Sequence, residues 1–218
     1  RAVVRELGDR LPERLGENDR LLIYFAGHGV TTGQGERALG YLMPVDGVND
    51  EPTATGVSMA DLQQWFHRYE AKHVLFVADA CYSGLALRTR ATPVSSRSSN
   101  YVEMITSNSV RFSLVAGTAG QEAAEYLGRG VLTFFLERAI RGEADTNWDG
   151  LVTTTEVQAY VQPLVAATVA RVQGEAQLPQ YARSGTGEFV FFATGPDTGE
   201  RPARVSPAGP VLRGEPLN

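Results

Sequence analysis

Two almost uninterrupted apolar runs constrain this chain most. They are Arg20-Leu21-Leu22-Ile23-Tyr24-Phe25-Ala26 and His73-Val74-Leu75-Phe76-Val77-Ala78, and each breaks off at small and polar residues. Short apolar runs without polar alternation are the pattern of strands covered on both faces. Helical periodicity lies around them. Residues 3–15 read as an amphipathic helix, and Ser58 followed by Asp61 opens a second helix carrying Leu62, Trp65, Phe66 and Tyr69. Further strands are expected at 39–45, closing at Pro44 and Asp46-Gly47, at 112–116 and at 189–192. Further helices are expected at 130–141 and 154–172. Strands alternating with helices predict an α/β fold, a mostly parallel central sheet flanked by helices on both faces. In such a sheet reactive groups gather beyond the C-terminal ends of the strands.

A chain of 218 residues suits one domain with its own core. That domain is expected over 1–195, with 196–218, rich in Pro, Gly, Arg and Glu and free of periodicity, as a linker or tail. The opening at Arg1-Ala2-Val3-Val4 in mid-pattern predicts flanking domains of a longer chain. A net charge of −5 argues against a nucleic-acid partner, which would need clustered Lys and Arg against phosphates. No apolar run approaches the ~18–20 residues that cross a bilayer, so no membrane partner is expected. Cys81 is the sole cysteine, which rules out an intrachain disulfide and predicts a reducing, cytoplasmic setting.

A free thiol in that setting needs its own explanation. Strand 20–26 ends at Gly27-His28-Gly29, and strand 73–78 runs into Asp79-Ala80-Cys81-Tyr82-Ser83-Gly84. If the two strands are neighbours, His28 and Cys81 share one sheet edge, and an imidazole beside a thiol can take its proton or stabilise the thiolate. Taken separately, His28 could be a turn histidine and Cys81 a small buried hydrophobe. His67, in a helix, and His73, at a strand start, have no glycine turn beside them and read as surface or packing residues.

Tyr-Phe-Ala-Gly-His-Gly followed about 50 positions later by Asp-Ala-Cys-Tyr-Ser-Gly resembles the caspase, metacaspase and paracaspase group of cysteine peptidases. The likeness spans about residues 18–193 and looks bacterial. It implies a cysteine endopeptidase acting on protein or peptide substrates, with His28 as base, Cys81 as nucleophile, and the N–H groups of Gly29 and Cys81 as oxyanion hole. Where animal caspases carry Gln-Ala-Cys, this chain has Asp79-Ala80-Cys81, closer to metacaspases and paracaspases. There the acid two places before the nucleophile lines the pocket for the residue preceding the cut and selects Arg or Lys. Glu125 falls where that group has a second acid, and Asp46 is a further candidate. Asp79 could instead cap a following turn, and Glu122 and Glu125 could be an exposed helix start.

Arg88, Arg90 and Arg97 lie just after the nucleophile, where relatives carry a processing segment, and self-cleavage is expected there. The resemblance also implies an additional strand before the first helix, which this sequence does not show. Two alternatives stay open: a catalytically silent binding module, and a legumain- or gingipain-type peptidase that would cut elsewhere.

Catalysis of this kind requires no cofactor. A separate motif, Asp145-Thr146-Asn147-Trp148-Asp149-Gly150 continuing to Glu156, satisfies the fixed positions of an EF-hand loop. Asp145, Asn147, Asp149, Glu156 and the Leu151 carbonyl are the candidate ligands for one Ca²⁺. Paired EF-hands are the rule, and the same residues also make a good turn in which Thr153 or Thr154 caps the next helix.

Overall fold

The structure, a computed structural model, describes residues 2–34, 37–80, 101–117, 123–126, 128–174 and 177–194. Cys81, Glu122, the arginines at 88, 90 and 97 and the tail from 195 lie outside the described residues.

The chain opens with a helical run of α1 (Ala2–Arg5), a π-helical turn (Glu6–Arg10) and α2 (Leu11–Arg14), where the periodicity placed a single helix. Gly8 is buried in the π turn, and a Cβ there would stand 3.1 Å from the Trp65 ring, so glycine lets the helix settle on that side chain. β1 (Arg20–Ala26) follows. A small antiparallel sheet is then built from β2 (Gly29–Thr32), β3 (Leu39–Leu42) and β4 (Val57–Ser58), with α3 (Pro52–Thr55) before the last. The strand expected over 39–45 therefore stops at Leu42 and lies outside the central sheet.

Ser58 opens α4 (Met59–Arg68) as predicted, its hydroxyl accepting from the N–H groups of Ala60 and Asp61. β5 (His73–Asp79) comes next; α5 (Tyr101–Ser107) and β6 (Val110–Val115) follow the 81–100 segment. A two-rung hairpin, β7 (Glu125–Tyr126) and β8 (Arg129–Gly130), leads into α6 (Val131–Arg138) and a second π turn (Ala139–Glu143). β9 (Leu151–Thr153), α7 (Thr154–Gln173), β10 (Gln180–Gly185) and β11 (Val190–Phe192) complete the described elements.

The central sheet has the order β1-β5-β6-β10, parallel through β6, with β10 antiparallel at the far edge. This is the expected α/β architecture. β5 is buried throughout because α4 covers one face and α6 with α7 the other. On one side Val74, Phe76 and Ala78 pack with Leu62, Trp65 and Phe66. On the other, Leu75, Val77, Phe112 and Leu114 pack with Leu132, Phe135, Val161 and Val165.

β1 corrects the expectation of a strand covered on both faces. It lies at the sheet edge in the described residues, and its burial alternates. Leu21, Ile23 and Phe25 pack against the α4 side, whereas Leu22 and Tyr24 are each 45% exposed. Position in the sheet, not composition, sets that difference. The strand expected at 189–192 is β11, paired with β9 rather than joined to the central sheet. The fourth central strand, β10, has the sequence Gln-Tyr-Ala-Arg-Ser-Gly and carries no apolar run to announce it.

Candidate active site

β1 and β5 run parallel in a register that ends with Ala26 opposite Asp79. His28 and Cys81 each follow that last rung by two places in the chain. The rung is continued by Gly27 N–H donating to Asp79 O at 3.4 Å, so the chain leaves the sheet for His28 immediately beside the end of β5. The His28 side chain is exposed, and its carbonyl accepts from Met43 N–H at 2.9 Å. Gly29 then begins β2 opposite Leu42, which ties the backbone after His28 into the small sheet. Both strand ends thus converge at one sheet edge, as the two motifs require.

Asp79 is the most constrained acid of this edge. Its side chain is 7% exposed, and α6 explains why it is tolerated there. Gly130 is the N-cap residue of α6 and has no side chain to satisfy the first N–H groups of the helix. Asp79 supplies the cap from the neighbouring strand. Its Oδ2 accepts from Thr133 N–H at 3.0 Å and from the Thr133 hydroxyl. Among the described residues Oδ1 is buried without a hydrogen-bond partner. The cap is on the distant helix α6 rather than on the turn that follows Asp79, which lies outside the described residues, and it occupies one carboxylate oxygen.

Gly130 is required for this seat. A Cβ built on it would lie 1.9 Å from Asp79 Oδ2 and 2.5 Å from Oδ1. The β7–β8 hairpin delivers this glycine, and Gly130 shares its rung with Glu125. Glu125 is not a helix start: it begins β7, exposed, and its charge acts on Asp79. Burial pushes the Asp79 carboxyl above the ordinary range and Glu125 adds to the rise, while the Thr133 hydrogen bonds oppose it. Asp79 and Glu125 are therefore brought together. Asp46 is not: it occupies an exposed turn closed by Gly47 N–H to Pro44 O, and nothing among the described residues couples it to Asp79.

The remaining histidines behave as packing and surface groups. His73 is buried, with Nε2 3.1 Å from Asn108 O, and His67 is exposed. Burial pushes the His73 imidazole below its usual range, and Arg20 is the next cause.

The 145–156 loop is closed on itself. Asp145, buried, accepts from Trp148 N–H at 2.7 Å and Gly150 N–H at 3.0 Å, and Asp149 accepts from Leu151 N–H and the Asn147 amide. Glu156 accepts from Thr146 and forms a capping box with Thr153 at the start of α7. The Leu151 segment pairs with β11. Among the described residues no group of three or more His, Cys, Asp or Glu side chains is gathered as a cation cage. As it stands, the loop makes a turn and starts a helix.

Thr133 and Gly130 went unnoticed in the sequence. Glycine is itself a common N-cap residue, so Gly130 at the start of the expected helix gave no sign that its cap comes from another element.

A family model of the caspase domain matches residues 3–190. This chain belongs to the caspase domain family. No curated protein matches this caspase domain. Among solved structures, it is similar to the protein GSU0716 of Geobacter sulfurreducens at 16% identity, covering 85% of this chain and 72% of that one with a TM-score of 0.44. No helix among the described residues of the caspase domain is long and apolar enough to cross a membrane.

Proposed function

We propose that this caspase domain is a cysteine endopeptidase that cuts proteins after Arg or Lys. The observation that carries the specificity is Oδ1 of Asp79, buried and without a hydrogen-bond partner among the described residues, with the charge of Glu125 acting on the same carboxyl. A buried acceptor left unsatisfied costs about 1–3 kcal/mol, and more when charged, so it calls for a partner. A guanidinium or ammonium group donates hydrogen bonds, carries the complementary charge and restores the ionised form against burial. A second acid at Glu125 favours a cation further and disfavours the Asp or Glu that a basic pocket would select.

In the proposed reaction His28 takes the Cys81 proton and the thiolate attacks the carbonyl carbon of the basic residue itself. The developing oxyanion accepts from the N–H groups of Gly29 and Cys81. Collapse breaks the C–N bond, and the amine leaves with the proton held by His28. Water, deprotonated by His28, then releases the acid and regenerates the thiol. No cofactor enters these steps. Calcium in the 145–156 loop would require Glu156 to leave its capping box, so the role proposed for the ion is structural. The proposal extends to self-processing after Arg88, Arg90 or Arg97, to one domain over 1–195 within a longer chain, and to a cytoplasmic setting.

The test is hydrolysis of fluorogenic peptides ending in Arg, Lys, Asp or Asn, with Cys81→Ala and Asp79→Asn as controls, in calcium and in excess chelator. Release after Arg and Lys that needs Cys81, falls at least tenfold in Asp79→Asn and survives chelation is expected. Release after Asn alone would move the chain to a legumain-type specificity. Failure on every peptide, with Cys81 inert to alkylation, would leave a silent binding module.

A further inference from the structure

The hydrogen bonds to Asp79 do not end at Thr133. Tyr24, on the half-covered face of β1, has its phenol oxygen 2.6 Å from Thr133 Oγ1. Thr133 has a single hydroxyl proton, and with Asp79 ionised that proton goes to Oδ2. Tyr24 O–H must then be the donor to Thr133 Oγ1. The chain Tyr24 O–H to Thr133 O–H to Asp79 Oδ2 has one direction, and Thr133 N–H adds a second donor to the same oxygen. Among the described residues every donor to this carboxylate reaches Oδ2 and none reaches Oδ1. Such an arrangement fixes which carboxylate oxygen is tied to the fold and which keeps its acceptor capacity.

We propose that Thr133 and Tyr24 are positioning residues for recognition of the basic side chain, anchoring Asp79 through Oδ2 so that Oδ1 remains the acceptor for the substrate cation. The inference rests on the reading of Asp79 as the specificity acid. Thr133 joins the first turn of α6 to β5, and Tyr24 joins both to β1, the strand whose end at Ala26 leads to His28. The anchor of the specificity acid is therefore built on the same strand that delivers the proposed base. Both residues act through Asp79 in this proposal.

The experiment compares wild type, Thr133→Val, Thr133→Ser, Tyr24→Phe and Asp79→Asn in the full chain. Two readouts are used: kcat and KM for an Arg-ending peptide across acid to neutral pH, and the carboxyl titration of Asp79 by ¹³C NMR, assigned by its loss in Asp79→Asn. Thr133→Val keeps the shape and removes only the hydroxyl. It should raise KM about tenfold with kcat little changed, the effect of one hydrogen bond to a charged group. It should also move the Asp79 titration and the acid limb of kcat/KM to higher pH. Thr133→Ser restores both, and Tyr24→Phe shifts both in the same direction by less. Wild-type KM and titration in Thr133→Val, with Arg selectivity lost in Asp79→Asn, would overturn the positioning role alone. Arg selectivity retained in Asp79→Asn would overturn the specificity reading and this inference with it.

Discussion

Substituting Gly130 by Ala isolates the seat of Asp79 from everything else. The glycine backbone, at φ −61° and ψ 142°, suits any residue, so the methyl group meets no conformational penalty. It does meet the carboxylate. An added Cβ falls 1.9 Å from Oδ2, where ordinary contact needs about 3.5 Å, so the side chain or the hairpin has to move by about 1.5 Å. Asp79 cannot move that far and keep the 3.0 Å bond from Thr133 N–H or its hydroxyl partner. Hydrogen bonds to a charged group contribute about 1.5–3 kcal/mol each, and overpacking costs about 1–3 kcal/mol; partial relaxation brings the expected net loss to about 3 kcal/mol. In an Asp79→Ala background the clashing atoms are gone, and Gly130→Ala should be neutral or stabilising by about 0.4–1 kcal/mol through the unfolded chain. Urea unfolding of the four proteins gives the coupling energy without any need for activity. Distant sites add to within about 0.5 kcal/mol, so equal costs of Gly130→Ala in the two backgrounds would refute the argument.

Two further outcomes concern pH. A carboxyl raised on folding contributes stability below its unfolded value that is lost as pH rises through the folded value. Wild type should therefore lose stability relative to Asp79→Asn as pH rises above the ordinary carboxylate range, while hydrolysis after Arg changes the opposite way because only ionised Asp79 attracts the cation. A pH-independent difference in unfolding free energy would contradict this. His73 has the reverse sign: burial lowers it, so its stability is present above about pH 6.5 and lost as pH falls toward its folded value. The stability advantage of wild type over His73→Gln should shrink in that window, which urea titrations at a series of pH values would measure.

The elements that the sequence announced are those whose burial is written into the residues themselves. β5 is apolar because both of its faces are covered, and the Ser58 cap and the Thr153–Glu156 box are local hydrogen bonds between near neighbours. β1 looked the same as β5 but among the described residues is covered on one face only, because apolar content does not record a strand's place in the order of a sheet. β10 and the β7–β8 hairpin were missed because pairing with a distant partner, not composition, makes them strands. At the site, Asp79 and Glu125 could be singled out as acids, yet nothing in their spacing joins them; the hairpin does that by setting Gly130 against one and Glu125 in the same rung. Asp46 shows the converse, a plausible acid turned out on an exposed turn. Thr133 carries no motif, and its role exists only where β5 meets the start of α6.

The Asp79 oxygen that has no partner among the described residues also bears on how this domain should be handled at the bench. Guanidinium chloride is an everyday denaturant, but its cation has the chemistry of an arginine head group. On the proposed specificity it would, at low concentration, compete for the Asp79 carboxylate and bind the folded state before it dissolves the core, stabilising by mass action. Linear extrapolation from guanidinium would then misstate the stability that urea reports. On that reading, a reagent chosen to unfold the protein would first have acted as a fragment of the proposed substrate.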